Sequence, residues 1–242
     1  MPREAPAAFG DDLTLLADDV RAKLLTLASK RGVVSDENVA ELAAPSFATR
    51  LELRECLRLT SEALHSLAAH GTWHLVTRLD LNDLTALDDQ DALAAVIRMM
   101  PNLHTAMLRR VPAMCDLVLR ALADSCPRLA VLDAGHAEDV GQPGLEALAA
   151  ACPHLASLTL TACTRIDDAC CYEVFVHMDA LQVLVLNRCF LLTTAAVTHL
   201  NACLGEQLRV LQTAGCPHVS LRGVQPRTGG EQLLSWSIPS GS

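Results

Sequence analysis

The chain repeats a short pattern of apolar positions seven times. In each copy, apolar residues occur eight, five and three positions before a site that holds Cys in four of the seven copies. Thr213 is the one polar residue among the 21 apolar positions of the pattern. The second and third positions are spaced by two, as are side chains on one face of a β-strand. The copies end 26 to 28 residues apart, at Cys56, Leu84, Val111, Ala137, Cys163, Cys189 and Cys216.

A helical spacing follows the strand pattern in the first, fifth and sixth copies. In the sixth copy Leu192, Ala196, Val197 and Leu200 fall on one face of a helix. A single strand, turn and helix cannot bury their apolar faces alone, so the units must stack. A leucine-rich unit with a fixed period in the twenties is typical of a leucine-rich-repeat solenoid. We therefore predict an α/β horseshoe of about seven repeats plus caps, with parallel strands on the concave face and helices on the convex face.

The ends of the chain predict caps on this stack. A helix that covers the first coil is expected from apolar residues at helical spacing, which are Leu13, Leu16, Val20, Leu24 and Leu27. Near the other end, Trp236 is expected to cover the last strand as a bulky lid. The predicted division of the chain is a disordered tail at 1–10, an N-terminal helical cap with a half-repeat at 11–46, seven repeats at 47–221, and a C-terminal loop with a capping strand at 222–242.

The charge and hydropathy of the chain exclude several classes of partner. The net charge is −9 and no run of Lys or Arg occurs, so neither nucleic acid nor an anionic membrane is an expected partner. No apolar run reaches the length of a membrane-spanning helix, and the N-terminus has no secretory signal pattern. We expect a protein of the cytoplasm, the nucleus or both, monomeric by itself.

The ten cysteines are expected to be reduced packing residues. Cys163, Cys189 and two others share one column of the repeat, where Cys acts as a small buried apolar group. Zinc is the alternative, but the chain has no C-x-x-C pair, and the vicinal Cys170 and Cys171 are expected to point apart on a helix. No metal or other cofactor is predicted.

No catalytic pattern is found in the sequence. The chain lacks G-x-S-x-G, a P-loop and H-E-x-x-H. Its acidic clusters, Asp88–Asp89 and Asp167–Asp168, lie where carboxylates cap helices. The expectation is therefore a binding protein and not an enzyme.

Residues between the inward-facing leucines of each strand should line the concave face and meet a protein partner. We interpret this face as bipartite: Arg78 and Arg109 would bind partner carboxylates, and Val183, Val185 and Val210 would form an apolar floor. The alternative is a solvated strand face whose arginines pair with neighbouring carboxylates of the same sheet. The candidate partner-binding residues are Arg50, Glu52, Arg54, Arg78, Asp80, Arg109, Asp133, Thr159, Val183, Val185, Asn187 and Val210.

Two stretches of the chain resemble known proteins. The unit Cys152-Pro153-His154-Leu155-x-x-Leu158-x-Leu160-x-x-Cys163-x-x-Ile166-Asp167-Asp168 resembles the cysteine-containing leucine-rich repeats of F-box proteins, which select substrates for SCF ubiquitin ligases. The stretch from Val20 through Ser35-Asp36-Glu37-Asn38-Val39 to Leu51-Glu52-Leu53-Arg54-Glu55-Cys56 resembles the antagonist of mitotic exit network protein family.

This resemblance implies substrate recognition or an accessory role in SCF-type ubiquitin-dependent degradation and cell-cycle regulation, with SCF components as possible partners. The chain departs from the pattern at two points. No F-box precedes the repeats, and Leu84, Val111 and Ala137 replace the repeat cysteine. The alternative is a ligase-independent inhibitor or scaffold that binds a signalling protein, such as a GTPase of mitotic exit.

Overall fold

The strands of the chain form one parallel sheet. The structure is a computed structural model that describes residues 18–43, 48–54, 56–69 and 73–220. In these ranges, seven strands of three residues pair in chain order, so each strand has its sequence neighbours at its sides. This confirms the predicted α/β solenoid. The strands are β1 Arg50–Glu52, β2 Arg78–Asp80, β3 Thr105–Met107, β4 Val131–Asp133, β5 Ser157–Thr159, β6 Val183–Val185 and β7 Val210–Gln212.

Helical segments connect the strands. α4 shows the pattern best: Asp89 caps its first turn by accepting from Ala92 N at 2.9 Å, and Leu93 and Ile97 are fully buried. Helices lie about 8–10 Å apart and strands about 4.8 Å apart, so the helical side is longer and the strand side is concave. The α-helices are α1 Asp18–Lys30, α2 Val39–Ala43, α3 Ser61–Ala69, α4 Gln90–Arg98, α5 Asp116–Ser125, α6 Gln142–Ala151 and α7 Thr194–Leu204.

The middle residue of each strand forms a buried column. Neighbouring strands pair in register, so that Leu158 lies between Leu132 and Leu184. The six middle residues of β1–β6 are all 0% exposed. Leu211 in β7 is half-buried, because β7 has a strand neighbour on one side only in the described chain. The strand column is therefore the core of the stack.

The fifth coil departs from the predicted helix. A π-helical turn at Cys170–Val174 and a 3-10 turn at Phe175–His177 replace the regular α-helix. Both Cys170 and Cys171 are 0% exposed, so neither side chain of the vicinal pair reaches the surface. A π turn is wider than an α turn, and here two pairs of consecutive residues face the core, Cys170 with Cys171 and Val174 with Phe175.

The N-terminal helix is rotated from the predicted orientation. Leu25 and Ser29 of α1 are 5% exposed, whereas Val20, Leu24 and Leu27 are 39%, 41% and 53% exposed. The predicted buried stripe is therefore wrong for these three residues. Ser29 Oγ donates to Leu25 O at 2.8 Å and shares a 2.8 Å hydrogen bond with the Cys56 thiol, which fixes the face that α1 presents to the first coil.

Several predictions for the chain ends lie outside the described residues. They are the disordered tail 1–10, the apolar residues Leu13 and Leu16, and the loop and capping strand 222–242 with Trp236. None of the helices in the described ranges has the length and apolar character that a membrane crossing needs.

The cysteine column links the fifth, sixth and seventh coils each to the coil before it. The thiols of Cys163, Cys189 and Cys216 donate to the strand-end carbonyls Ala134 O, Leu160 O and Leu186 O at 3.3, 3.2 and 3.1 Å. Burial raises the pKa of Cys163 to about 11 and that of Cys189 to about 12. These thiols are therefore protonated donors at neutral pH, and all ten cysteines are free.

The residue before the cysteine column is left-handed in six successive coils. In the five of these coils that precede the last one, its amide donates to the next coil, as in Ala162 N to Asn187 O at 2.7 Å. Only one of the six is glycine, so five coils accept a strained backbone to make this bond. The residues and their φ angles are Asp83 (63°), Arg110 (56°), His136 (65°), Ala162 (58°), Arg188 (58°) and Gly215 (74°).

Replacing Ala162 by glycine is expected to stabilise the protein. Ala162→Gly removes the clash of Cβ in the left-handed region and adds some entropy to the unfolded chain, for a net gain of about 1 kcal/mol in the free energy of unfolding. The matched control, Ala134→Gly, replaces a fully buried alanine that lies outside the left-handed set, and it should destabilise. Urea unfolding measures both variants; equal effects of the two would contradict the strain argument.

Candidate binding surface

The outward-facing residues of the sheet form three straight rows, which we call the strand face. The pairing register aligns the first two rows, and the third follows the strand ends. Every member is partly exposed except Asp80 and Gly135. The rows are Arg50, Arg78, Thr105, Val131, Ser157, Val183 and Val210; Glu52, Asp80, Met107, Asp133, Thr159, Val185 and Gln212; and Arg54, Asn82, Arg109, Gly135, Thr161, Asn187 and Ala214.

Arg78 is ion-paired within the strand face. Its Nε lies 3.1 Å from Glu52 Oε1, and its Nη2 lies 3.7 Å from Asp80 Oδ2. Asp80 is only 3% exposed, because Arg78 covers one oxygen and the amide of Asn82 donates to the other at 3.2 Å. Arg78 is therefore paired within the sheet, as the solvated-face alternative predicts. Its pair with Glu52 joins two partly exposed side chains, and such pairs contribute about 0–1 kcal/mol to stability.

Arg109 lies in a different environment. Its Nε is buried and has no hydrogen-bond partner, and within the described ranges no carboxylate lies within 4 Å of its guanidinium. The charge of Arg109 acts on Asp133 in the next coil. Of the two arginines predicted to meet partner carboxylates, Arg109 is therefore the one whose guanidinium has no ion pair within the described ranges.

Asp133 is a partly buried carboxylate with a raised pKa. Burial raises its pKa above the ordinary value, and the nearby charge of Asp80 adds to this shift. The amide of Gly135, which donates to Asp133 Oδ1 at 3.0 Å, and the Arg109 guanidinium oppose it. The ionised form is therefore disfavoured in the fold.

The far half of the strand face is uncharged. Val183 pairs in register with Val210, and Val185 with Thr159, so the predicted valines are adjacent and half-exposed. Asn187 serves the stack instead: its Oδ1 accepts from Ala214 N at 2.7 Å, and its Nδ2 donates to Gln212 at 3.1 Å. Asn82 accepts from Arg109 N at 2.8 Å in the same way.

The first coil leaves its cations exposed beside a small cleft. Arg50 and Arg54 are exposed, and Arg54 lines an opening of about 220 Å³ between α1 and β1. Thr26, Ser29, Lys30 and Glu52 complete its walls. The cleft therefore extends the strand face towards the N-terminal helix.

Sequence reasoning missed a group of two arginines and one histidine at the edge of the strand face. Arg110, His136 and Arg188 occupy the left-handed position of their coils. Burial and then the charges of Arg110, Arg109 and Arg188 lower the pKa of His136, so the ring favours its neutral form. The available signal was position: each precedes the cysteine column by one residue.

The carboxylates of the acidic clusters accept hydrogen bonds from backbone amides. Asp167 Oδ1 accepts from Cys170 N at 3.2 Å, and Asp168 accepts from the amide and hydroxyl of Thr193 at 2.8 and 2.6 Å. Asp168 thereby joins the fifth coil to the sixth. No group of three or more His, Cys, Asp or Glu in the described part of the chain is placed to hold a metal ion.

Comparisons with known proteins give a similarity of fold. No protein-family model matches the chain, and no curated protein matches it. It resembles a chain in the crystal structure of the Rad7 and Elc1 complex in yeast, with a TM-score of 0.54 and 18% identity, over 83% of this chain and 58% of that chain. The chain thus matches little more than half of that protein's length.

A second similarity is to the leucine-rich repeat-containing protein LegL7 from Legionella pneumophila. The TM-score is 0.37 at 16% identity, over 76% of this chain and 72% of that chain. This score is too low to argue from, so the comparison of folds rests on the yeast structure.

Replacing Asp133 by asparagine is expected to stabilise the protein at neutral pH. The folded pKa of Asp133 lies above its unfolded value, so the folded state holds the proton more tightly and loses relative stability as pH rises through the folded pKa. The side-chain amide of the variant would keep an acceptor for Gly135 without the charge. Thermal unfolding of Asp133→Asn should show a gain at pH 7 that shrinks in acid; a gain independent of pH would contradict the assignment.

Proposed function

We propose that the chain is a protein-interaction module whose strand face receives a protein partner. The three rows support this most directly, since they form a continuous surface of side chains, most of which are partly exposed and lie outside the buried column. Arg109 would bind a carboxylate of the partner, and Val183, Val185 and Val210 would bind its apolar groups. In this proposal the protein acts by binding and not by catalysis, in the cytoplasm, the nucleus or both.

The cellular role that we propose is substrate recognition or an accessory role in SCF-type ubiquitin-dependent degradation and cell-cycle regulation. The cysteine-containing repeats support it through their resemblance to F-box proteins. A fold similar to a chain crystallised in the Rad7 and Elc1 complex is compatible with assembly into a complex.

α1 offers a surface for a ligase adaptor in this proposal. Val20, Leu24 and Leu27 are exposed at helical spacing on one face of α1, which precedes α2 and the first repeat. A helix with an exposed apolar stripe is suited to lie in a partner's groove. The adaptor would therefore contact α1, while the substrate would contact the strand face.

The second candidate function is a ligase-independent inhibitor or scaffold for a signalling protein such as a mitotic-exit GTPase. The contacts of Leu25 and Ser29 with the first coil favour it, because they make α1 an integral cap of the solenoid. In this case one partner would bind the strand face, and the exposed stripe of α1 would have no adaptor.

Affinity purification of the full chain from cells separates the two functions. We expect wild type to recover an SCF adaptor and cullin together with a substrate. Leu24→Glu with Leu27→Glu should lose the adaptor and keep the substrate, because both leucines are exposed and their loss leaves the core intact. The matched control is Leu75→Glu, which changes a leucine that is 41% exposed outside α1 and should lose neither.

The strand face is tested in the same purification. Val183→Asp with Val210→Asp places two charges on the apolar floor and should reduce capture of the substrate about tenfold or more, the loss expected for buried interface residues. A partner captured without adaptor or cullin would support the scaffold function. Capture that neither double variant changes would contradict the proposed binding surfaces.

A further inference from the structure

Positive charge gathers at one edge of the strand face, although the chain carries a net charge of −9. We call Arg109, Arg110, His136 and Arg188 the rim cluster. Three of its members hold the left-handed position in the third, fourth and sixth coils, and Arg109 directly precedes Arg110. The charges of all three arginines act on the His136 ring, and the carboxylate of Asp133 opposes them with a smaller effect. The rim cluster is therefore one electrostatic unit that spans four coils.

The aliphatic stems of two of the arginines lie against glycines of the following coils. A Cβ at Gly135 would lie 3.5 Å from Arg109 Cγ, and a Cβ at Gly215 would lie 3.1 Å from Arg188 Cγ. The two stems thus lie close against backbone that carries no side chain. A stem that is packed before a ligand arrives loses less rotamer freedom when the ligand binds.

The rim cluster has unused hydrogen-bond donors. Neither Arg109 nor Arg188 forms an ion pair with a carboxylate in the described ranges, and Arg109 Nε is buried without an acceptor. A buried donor without a partner is unfavourable until an acceptor arrives. Arg110 pairs with Asp83 at 3.1 Å, but both side chains are about half-exposed, so water or another carboxylate can replace this contact.

The spacing of the rim cluster selects an extended ligand. Three strand-to-strand steps separate the third coil from the sixth, which is about 14 Å at the usual spacing of about 4.8 Å. About four residues of extended chain cover this distance, and residues four apart in such a chain point to the same side. A single small anion is too short to reach both ends.

We propose that the rim cluster binds an extended acidic segment of the partner protein. One carboxylate would meet Arg109 and Arg110, and a second, about four residues away, would meet Arg188. This inference rests on the proposed function, because it specifies the chemistry of the partner that the strand face receives.

Peptide titrations of the isotope-labelled full chain test the inference. The probe is a capped Gly–Ser peptide with two glutamates about four residues apart, and the readout is the NMR signals of the arginine Nε–H groups. We expect this peptide to shift the Arg109 and Arg188 signals and to bind about tenfold more tightly than a peptide with adjacent glutamates. A version with glutamine in place of both glutamates should cause no shift. Arg188→Glu should remove about tenfold in affinity, whereas Arg98→Glu, an exposed residue of α4, should not.

Three results would overturn the inference: equal binding of the two glutamate peptides, an equal loss with Arg98→Glu, or the same shifts with inorganic phosphate alone. Thermal unfolding of each variant confirms that it is folded. If partner capture is reduced by the variants at Val183 and Val210 but not by Arg188→Glu, the proposed function stands and this inference is wrong. If the peptide binds at the rim cluster but no partner is captured, the rim cluster binds acidic segments and the proposed function is wrong.

Discussion

Register between neighbouring strands is the constraint on which the rest of the structure depends. Each coil has one three-residue strand and cannot enclose its own apolar residues. The middle residues of β1–β6, which are leucine except for Ala106 in β3, are therefore buried by the strands at their sides and the helices behind them. A shift by one residue would turn the leucines outward and the row residues inward. The cysteine thiols and the left-handed amides after each strand bind the neighbouring coil and hold that register.

The same register makes a surface. Because strands align without offset, residues of one position become rows across seven coils, and their character changes along the stack. Arg78 is ion-paired with Glu52 on the strand face, whereas neither Arg109 nor Arg188 forms an ion pair in the described ranges, and the sixth and seventh coils present valines. A partner would meet cations at the rim and apolar groups on the floor, which favours a protein segment with both kinds of side chain.

The sequence predicted the strands well, because leucines spaced by two lie on the same side of a strand and their recurrence at a fixed interval shows which side is buried. It predicted the face of α1 wrongly, since Leu24 and Leu27 fit a helical stripe as well as Leu25 does, and the hydrogen bond of Ser29 to Cys56 decided the orientation. The π turn at Cys170 depended on packing of consecutive buried residues, which spacing rules do not describe. The burial of Asp80 depends on Arg78 and the Asn82 amide within its own coil, and the repeat spacing does not describe such contacts. The rim cluster combines side chains of the third, fourth and sixth coils, which become neighbours only once the coils are stacked.

Site-specific photo-crosslinking tests most directly whether a protein partner occupies the concave side. A photoreactive amino acid is placed at Thr159, in the middle of the strand face, and in a second protein at Ala150, which is exposed on α6. In cell extract, our account expects a discrete crosslinked partner from position 159 and none from position 150. Crosslinking of a partner from position 150 alone would place the binding surface on the helices and contradict the account.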